Sequence, residues 1–367
     1  MREITPTLTP ELEDHTKSVG VIRADPYFVR RYRDLVQHIA RLAYLNKDHL
    51  LFYRGQGIHY RNKAGGATFY PSIYRGEQLD RRTMHGRFHL LDRASRRLRE
   101  LFVEKHIDGY PEVARKRMIQ WSVLQHYEVC TTPLLDFTHS IRVACSFAQA
   151  AADGSKAYVY VFGLPYITNR ISANSEHDLV LVRLLSICPP TALRPYFQEG
   201  YLAGTTDVTI DYEDKSELDF NRRLIAQFEI PSGSAFWGPD LSRVTDEELF
   251  PPNDSIKELC ASIDHGVSVG PEPEALGRFL AAWTALEQLV VTDAQRSQER
   301  VLTFGQALNV FRRRRRLSGA HLRELDGLRK LRNEVVHGIE PSSDEVLQQA
   351  SVQVDELRNE LREKLSR

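Results

Sequence analysis

At 367 residues, with 42% apolar and 27% charged residues, the chain has ordinary globular composition and exceeds what one hydrophobic core usually organises, so two domains are expected. Basic and acidic residues balance at 49 each, which excludes a global field that would draw the molecule onto nucleic acid or an anionic membrane. The four cysteines, Cys130, Cys145, Cys188 and Cys260, are scattered and form no C-x-x-C pair. They suggest neither a zinc site nor a disulfide framework, so no metal is expected and a reducing, cytoplasmic compartment fits best. No run of about 18 apolar residues occurs and the N-terminus lacks an apolar core, so neither a membrane span nor a secretory signal is expected.

Residues 1–25 are polar and proline-bearing and read as a flexible N-terminal segment. Beyond Pro26, the positions Phe28, Val29, Tyr32, Leu35, Val36, Ile39, Ala40 and Leu42 recur with helical spacing. Residues 50–53 form a short strand-like run, stopped by Gly55 and Gly57, which delivers Arg54 to a turn. Helices are predicted over 90–102 and 113–127, a short strand over 133–137 and a buried helix over 143–152. A strand over 157–162 follows the Asp153-Gly154 turn. Further strands are expected over 180–187, 223–230 and 234–237, and a short helix over 255–263. The alternation predicts an α+β domain over 26–263, closed by a linker over 264–273. The texture then changes to four helical segments, about 274–291, 298–316, 318–337 and 342–365, which predicts an all-α bundle over 274–367.

Several motifs of the mixed domain occur in a fixed order: Phe52-Tyr53-Arg54-Gly55-Gln56, Tyr70-Pro71-Ser72-Ile73-Tyr74-Arg75, Gln125-His126-Tyr127 and Leu134-Leu135-Asp136-Phe137-Thr138. Ala144 to Ala148, then Arg194 with Gln198 and Gly200, and finally Glu248-Leu249-Phe250-Pro251 follow. In that order they resemble the FRG domain family, named for its aromatic-Arg-Gly signature, over about 30–262. The chain departs from the pattern after the His-Tyr pair, where Glu128 stands in place of glycine and Cys130-Thr131-Thr132 lengthens the connection.

An arginine at a strand end beside glycines suits a phosphate or carboxylate, because its planar fork donates two parallel hydrogen bonds. A nucleotide pyrophosphate is the natural guest. The order strand arginine, threonine-bearing strand, late glutamine is also similar to the layout of ADP-ribosyltransferases. That similarity implies NAD as cofactor, with Arg54 on a phosphate or ribose and Thr138 supporting it. Gln198 would then stand where a transferase has its glutamate, although a neutral amide cannot offset the positive charge that develops as nicotinamide leaves. Tyr53, Gly55, Gln56, Arg75, Gln125, His126 and Asp136 complete the expected ligand-binding set. The structural alternatives are an Arg54–Asp136 ion pair, Asp136 holding Gln125 or His126, a core histidine at His126, a turn contact for Arg75 and a surface amide at Gln198.

In the helical region, Leu325, Leu328, Leu331, Val335 and Val336 form an apolar stripe with Gly338 as the following cap. The run Leu328-Arg329-Lys330-Leu331-Arg332-Asn333-Glu334-Val335-Val336-His337-Gly338 resembles the HEPN family, whose ribonuclease members carry Arg, a polar residue and His at this separation. The resemblance implies metal-independent RNA cleavage. His337 would move the proton of the ribose 2′-hydroxyl or of the leaving oxygen, Arg332 would neutralise phosphate charge, and Asn333 would bind substrate or fix the histidine. Residues five apart on a helix differ by about 140° in direction, so a composite cleft in a homodimer is implied, as is usual in that family. The alternative is a histidine stabilising its own helix end through the dipole. Over 273–367 there are 16 basic and 14 acidic residues, a balance that supplies no strong non-specific grip on RNA. Together these readings describe a bacterial-type cytosolic toxin or defence effector with an RNA substrate and a neutralising or defence-system partner. The other reading is a non-catalytic sensor or scaffold whose bundle dimerises.

Overall fold

In the computed structural model the described residues are 1–19, 25–63, 65–76, 80–208, 214–263, 273–296, 303–314, 317–337 and 344–365. The chain separates into two compact units, Met1–His265 and Gly266–Arg367. In chain order the first holds α1 (Pro10–Val19), β1 (Tyr27–Phe28), α2 (Tyr32–Leu45), β2 (Leu50–Gln56), α3 (Arg81–Glu104), α4 (Tyr110–Arg115), α5 (Arg117–His126), β3 (Leu135–Thr138) and α6 (Ile141–Ala150). It continues through β4 (Lys156–Leu164), β5 (Ile171–Asn174), β6 (Leu179–Arg183), α7 (Leu184–Ile187), α8 (Arg194–Phe197), β7 (Gly200–Gly204), β8 (Leu224–Pro231), α9 (Asp246–Leu249) and α10 (Ser255–Ala261).

Among the described residues, eight strands form one mixed sheet in the order β1-β8-β4-β2-β3-β7-β6-β5. Only β1 runs parallel to its neighbour; the other pairs are antiparallel. Side chains alternate across a strand, and β2 shows the consequence. Leu51 and Tyr53 pack with Ala144 and Ala148 of α6, whereas Phe52 enters an aromatic cluster with Phe69, Phe137, Phe162 and Phe220 on the other face. A third cluster joins Leu91, Leu98 and Phe102 of α3, Trp121 and Leu124 of α5, and Ile256 and Leu259 of α10.

Local sequence explains several boundaries. Asp80 accepts from the Thr83 N–H at 2.7 Å and caps α3. Thr245 and Glu248 bond reciprocally in a capping box that starts α9. Asp254 accepts from the amides of Ile256 and Lys257 at the start of α10.

Four expectations are corrected. Residues 1–19 are not a loose lead-in: they include α1, and Ile4, Leu8 and Leu12 are buried in the core beside α2 and β4. Apolar residues spaced by four along this segment outweigh its polar texture. The helix expected directly after Pro26 starts at Tyr32, because Tyr27 and Phe28 pair with Phe228 and Glu229 of β8. The strand expected over 234–237 is instead a 3-10 turn, Ser234–Phe236, and 184–187 are helical rather than a continuation of β6.

The second unit consists, among its described residues, of α11 (Pro273–Gln295), α12 (Phe304–Arg314), α13 (Gly319–His337) and α14 (Asp344–Leu365). They share one core, built from Phe279, Trp283 and Leu286 of α11, Phe304 and Phe311 of α12, Leu325 and Leu328 of α13, and Val354 and Leu361 of α14. The expected Gly338 cap lies outside the described residues. No described helix is long and apolar enough to cross a membrane.

Candidate functional site

A cavity of about 580 Å³ opens in the first unit, within the range typical of small-molecule sites. Its wall gathers residues distant in sequence: Tyr53, Arg54 and Gly55 from β2, Arg75, Gln125 and His126 from the end of α5, Asp136 and Thr138 from β3, and Gln198 just before β7. These three strands are adjacent in the sheet, with Tyr53 opposite Thr138 and Thr138 opposite Gly200. Of the expected binding residues in this unit, Gln56 is the one that does not line the cavity; its Oε1 is buried without a partner.

The motifs form one hydrogen-bond network around Asp136. Its carboxylate accepts from Gln125 Nε2 at 2.7 Å and lies 3.9 Å from His126 Nδ1. Gln125 Oε1 in turn accepts from the hydroxyls of Thr132 and Ser72, and Ser72 Oγ accepts from the Thr132 N–H at 2.9 Å. Asp136 therefore holds Gln125. The alternative Arg54–Asp136 ion pair is not what forms: Arg54 Nη1 donates to the backbone carbonyl of Asp136 at 2.7 Å, while Arg54 Nε is buried with no partner. Burial draws this guanidinium below its ordinary pKa, the Asp136 charge opposes that shift, and Arg75 adds to it.

Two expected roles change. Gln198 is 8% exposed rather than a surface amide, and its Nε2 donates to the Leu249 carbonyl at 2.8 Å. That bond uses one of the two amide N–H groups and leaves the other, and Oε1, for a ligand. Thr138 donates to the Gln198 carbonyl at 2.7 Å and accepts from the Ser140 N–H at 3.0 Å, so its hydroxyl ties β3 to the end of α8. Arg75 makes the expected turn contact, Nε to the Tyr70 carbonyl at 3.1 Å.

Gly55 borders the cavity, but α6 is what requires a glycine. An added Cβ would stand 1.8 Å from the Ala144 carbonyl oxygen, and at Gly57 the same distance from that of Ala151. The signature glycine lets the helix lie against the strand.

Cavity residues outside the expected set include Glu128, Cys130, Phe147, Leu184, Arg194, Tyr201 and Phe250. Burial pushes the Cys130 thiol up to about 12, which favours its protonated form. Arg194 is 7% exposed; its Nη1 donates to the His126 carbonyl at 3.1 Å. The Arg-Pro start of α8 and the Glu-Leu-Phe-Pro element were visible in sequence; their convergence on one cavity was not.

In the second unit, Arg332 and Asn333 are half-buried on α13, and Arg332 Nη1 donates to Asn333 Oδ1 at 3.1 Å. His337 is the last residue of α13, and its side chain lies outside the described set.

The first unit is thus an α+β domain with a cationic, partly aromatic cavity at the junction of three sheet strands. Residues 51–157 match the family model described as the FRG domain, so this unit contains an FRG domain over that segment, narrower than the span suggested by the motifs. Arg194, Gln198, Tyr201 and Phe250 lie beyond the matched residues. No curated protein and no solved structure matches the chain.

Proposed function

We propose that the first unit is a nucleotide-binding module which holds an NAD-like ligand by a phosphate at Arg54. The observation that supports this reading is the state of Arg54: its Nη1 is fixed by a strand carbonyl while its buried Nε has no partner at the wall of the cavity. A half-buried cation with unused donors is costly unless an anion meets it. Recognition or sensing is favoured over rapid ADP-ribosyl transfer, because Gln198 offers a neutral amide where a carboxylate would serve the developing charge better. Isothermal titration calorimetry of the full chain with NAD and ADP-ribose tests the reading. Arg54→Ala should weaken binding about tenfold or more, the worth of one hydrogen bond to a charged group. Unchanged affinity in that variant, or absence of binding by the unaltered chain, overturns it.

A second reading concerns α13. Among the described contacts Arg332 bonds Asn333 rather than a carboxylate, which supports the use of its charge on an RNA phosphate, with His337 as the proton carrier. The expected outcome is degraded total RNA on expression of the full chain and intact RNA with Arg332→Ala and with His337→Ala. Equal degradation by all three proteins sinks the ribonuclease, whatever the first unit does.

A further inference from the structure

Beside Arg54 and Arg75, the cavity holds a third guanidinium whose charge the protein leaves without a carboxylate. Arg194 is more than nine-tenths buried. Its Cζ lies 4.8 Å from the Phe250 ring centroid and 5.3 Å from that of Tyr127. One nitrogen donates to the His126 carbonyl, and Nε is buried with no partner. Among the described residues no carboxylate oxygen comes within ion-pair distance of it. Asp254, at the backbone of this residue, is occupied otherwise: it accepts from the backbone amides of Leu193 and Arg194, each at 3.0 Å, and from the Tyr127 hydroxyl at 2.8 Å. Asp254 also caps α10. It therefore holds the first turn of α8 and one ring beside the guanidinium, while the charge itself stays uncompensated.

Ring faces stabilise a cation and keep its plane fixed; with Nη1 bonded and Nε buried, Nη2 is the nitrogen left to meet a ligand. Arg54 presents the same state, with one nitrogen on a strand carbonyl and Nε free. The two side chains are linked through His126: Arg194 binds its carbonyl, and its ring faces Asp136, whose own carbonyl carries Arg54. Both line one cavity.

From this we infer that the cavity selects a ligand with two linked anionic groups, a nucleoside diphosphate ester, one phosphate meeting Arg54 and the other Arg194. The inference rests on the reading of Arg54 as a phosphate-binding group and adds to it a residue outside the matched FRG segment. Arg194 would be a binding residue in direct contact with the ligand. Phe147, Phe250 and Tyr201 supply apolar wall on which the nucleoside part can rest.

The test is calorimetric titration of the full chain with AMP, ADP and inorganic pyrophosphate. The unaltered protein should bind ADP about tenfold or more tighter than AMP, since the second phosphate adds a charge-assisted contact. Arg194→Lys keeps the charge but loses the planar fork, and should remove most of the preference for ADP over AMP. Arg54→Lys should weaken AMP and ADP together. Equal affinity of the unaltered protein for AMP and ADP overturns the inference without needing any variant to fold. An undiminished ADP preference in Arg194→Lys also overturns it, and leaves the Arg54 reading standing. If Arg54→Lys binds normally while Arg194→Lys does not, the Arg54 reading fails and the two-phosphate receptor fails with it. Binding of pyrophosphate alone, at an affinity equal to that of ADP, places the recognition in the diphosphate rather than the nucleoside.

Discussion

Glu128 shows how one residue carries both strain and position. It follows the Gln125-His126-Tyr127 motif, where the FRG pattern has glycine, and its φ is +56°. That left-handed conformation is cheap for glycine and costs other residues about 1–2 kcal/mol. The carboxylate is exposed and lines the cavity, so its removal forfeits no core packing. Glu128→Gly should relieve that strain, offset in part by the roughly 0.4–1 kcal/mol of extra freedom glycine gives the unfolded chain. The expected outcome is a net gain of about 0.5–1 kcal/mol, read as a higher midpoint in urea titration. A lower midpoint would mean that the side chain makes a contact the backbone geometry does not reveal, and the strain argument would be wrong here. The same loop turn carries Val129 back into the core beside Leu124, which is why the conformation is kept even without a glycine.

At the scale of elements, the sequence carried β2 and β4, which bury branched and aromatic residues, and missed β7, built from small ones. Residues 50–53 and 157–162 announced β2 and β4 because their side chains fill two cores. β7 was illegible because both its ends are glycine. A Cβ at Gly200 would meet Leu184 at 2.8 Å and His126 at 3.4 Å, and one at Gly204 would meet the Pro133 carbonyl at 2.8 Å. Tertiary crowding demands glycine there, yet glycine in a sequence reads as a turn. The helix expected over 113–127 is in fact α4 and α5, parted at Lys116, whose backbone is extended at φ −113° and ψ 102°. The site was legible in proportion to how local its residues are. Arg54, Gln125, His126 and Asp136 lie inside recognisable motifs, and all four line the cavity. The role of Arg194 depends on Tyr127 and Phe250 arriving from α5 and the segment after α9, and no spacing along the chain reports such an encounter.

For the molecule as a whole, acid stability follows from where its histidines sit. Burial lowers the pKa of His38, His49, His139 and His177 from the ordinary 6.5, all in the first unit. Arg223 reinforces the shift at His49 and His177, its Nη1 standing 3.1 Å from His177 Nδ1. His139 stacks against Phe52 and Tyr201, with ring centroids 4.3 and 4.6 Å away. Above pH 6.5 these imidazoles are neutral in both folded and unfolded chains. As pH falls below 6.5 the unfolded chain takes up protons first, so stability present at higher pH is lost toward the lower folded values. Asp219 acts in the opposite sense, because burial raises its carboxyl, but it is one group set against four. Exposed paired carboxylates such as Glu112 and Glu248, held below the ordinary 4.5, titrate beneath this window. Scanning calorimetry between pH 7.5 and 5.5 should therefore show the transition moving down. A loss of about 1 kcal/mol corresponds to about 2–4 °C in a unit of this size, so the fall is measurable. His177→Gln should remove part of it by leaving Arg223 beside a neutral amide at every pH. A transition temperature that stays constant or rises on acidification would show that these rings are charged or solvated in the folded protein, contrary to their packing.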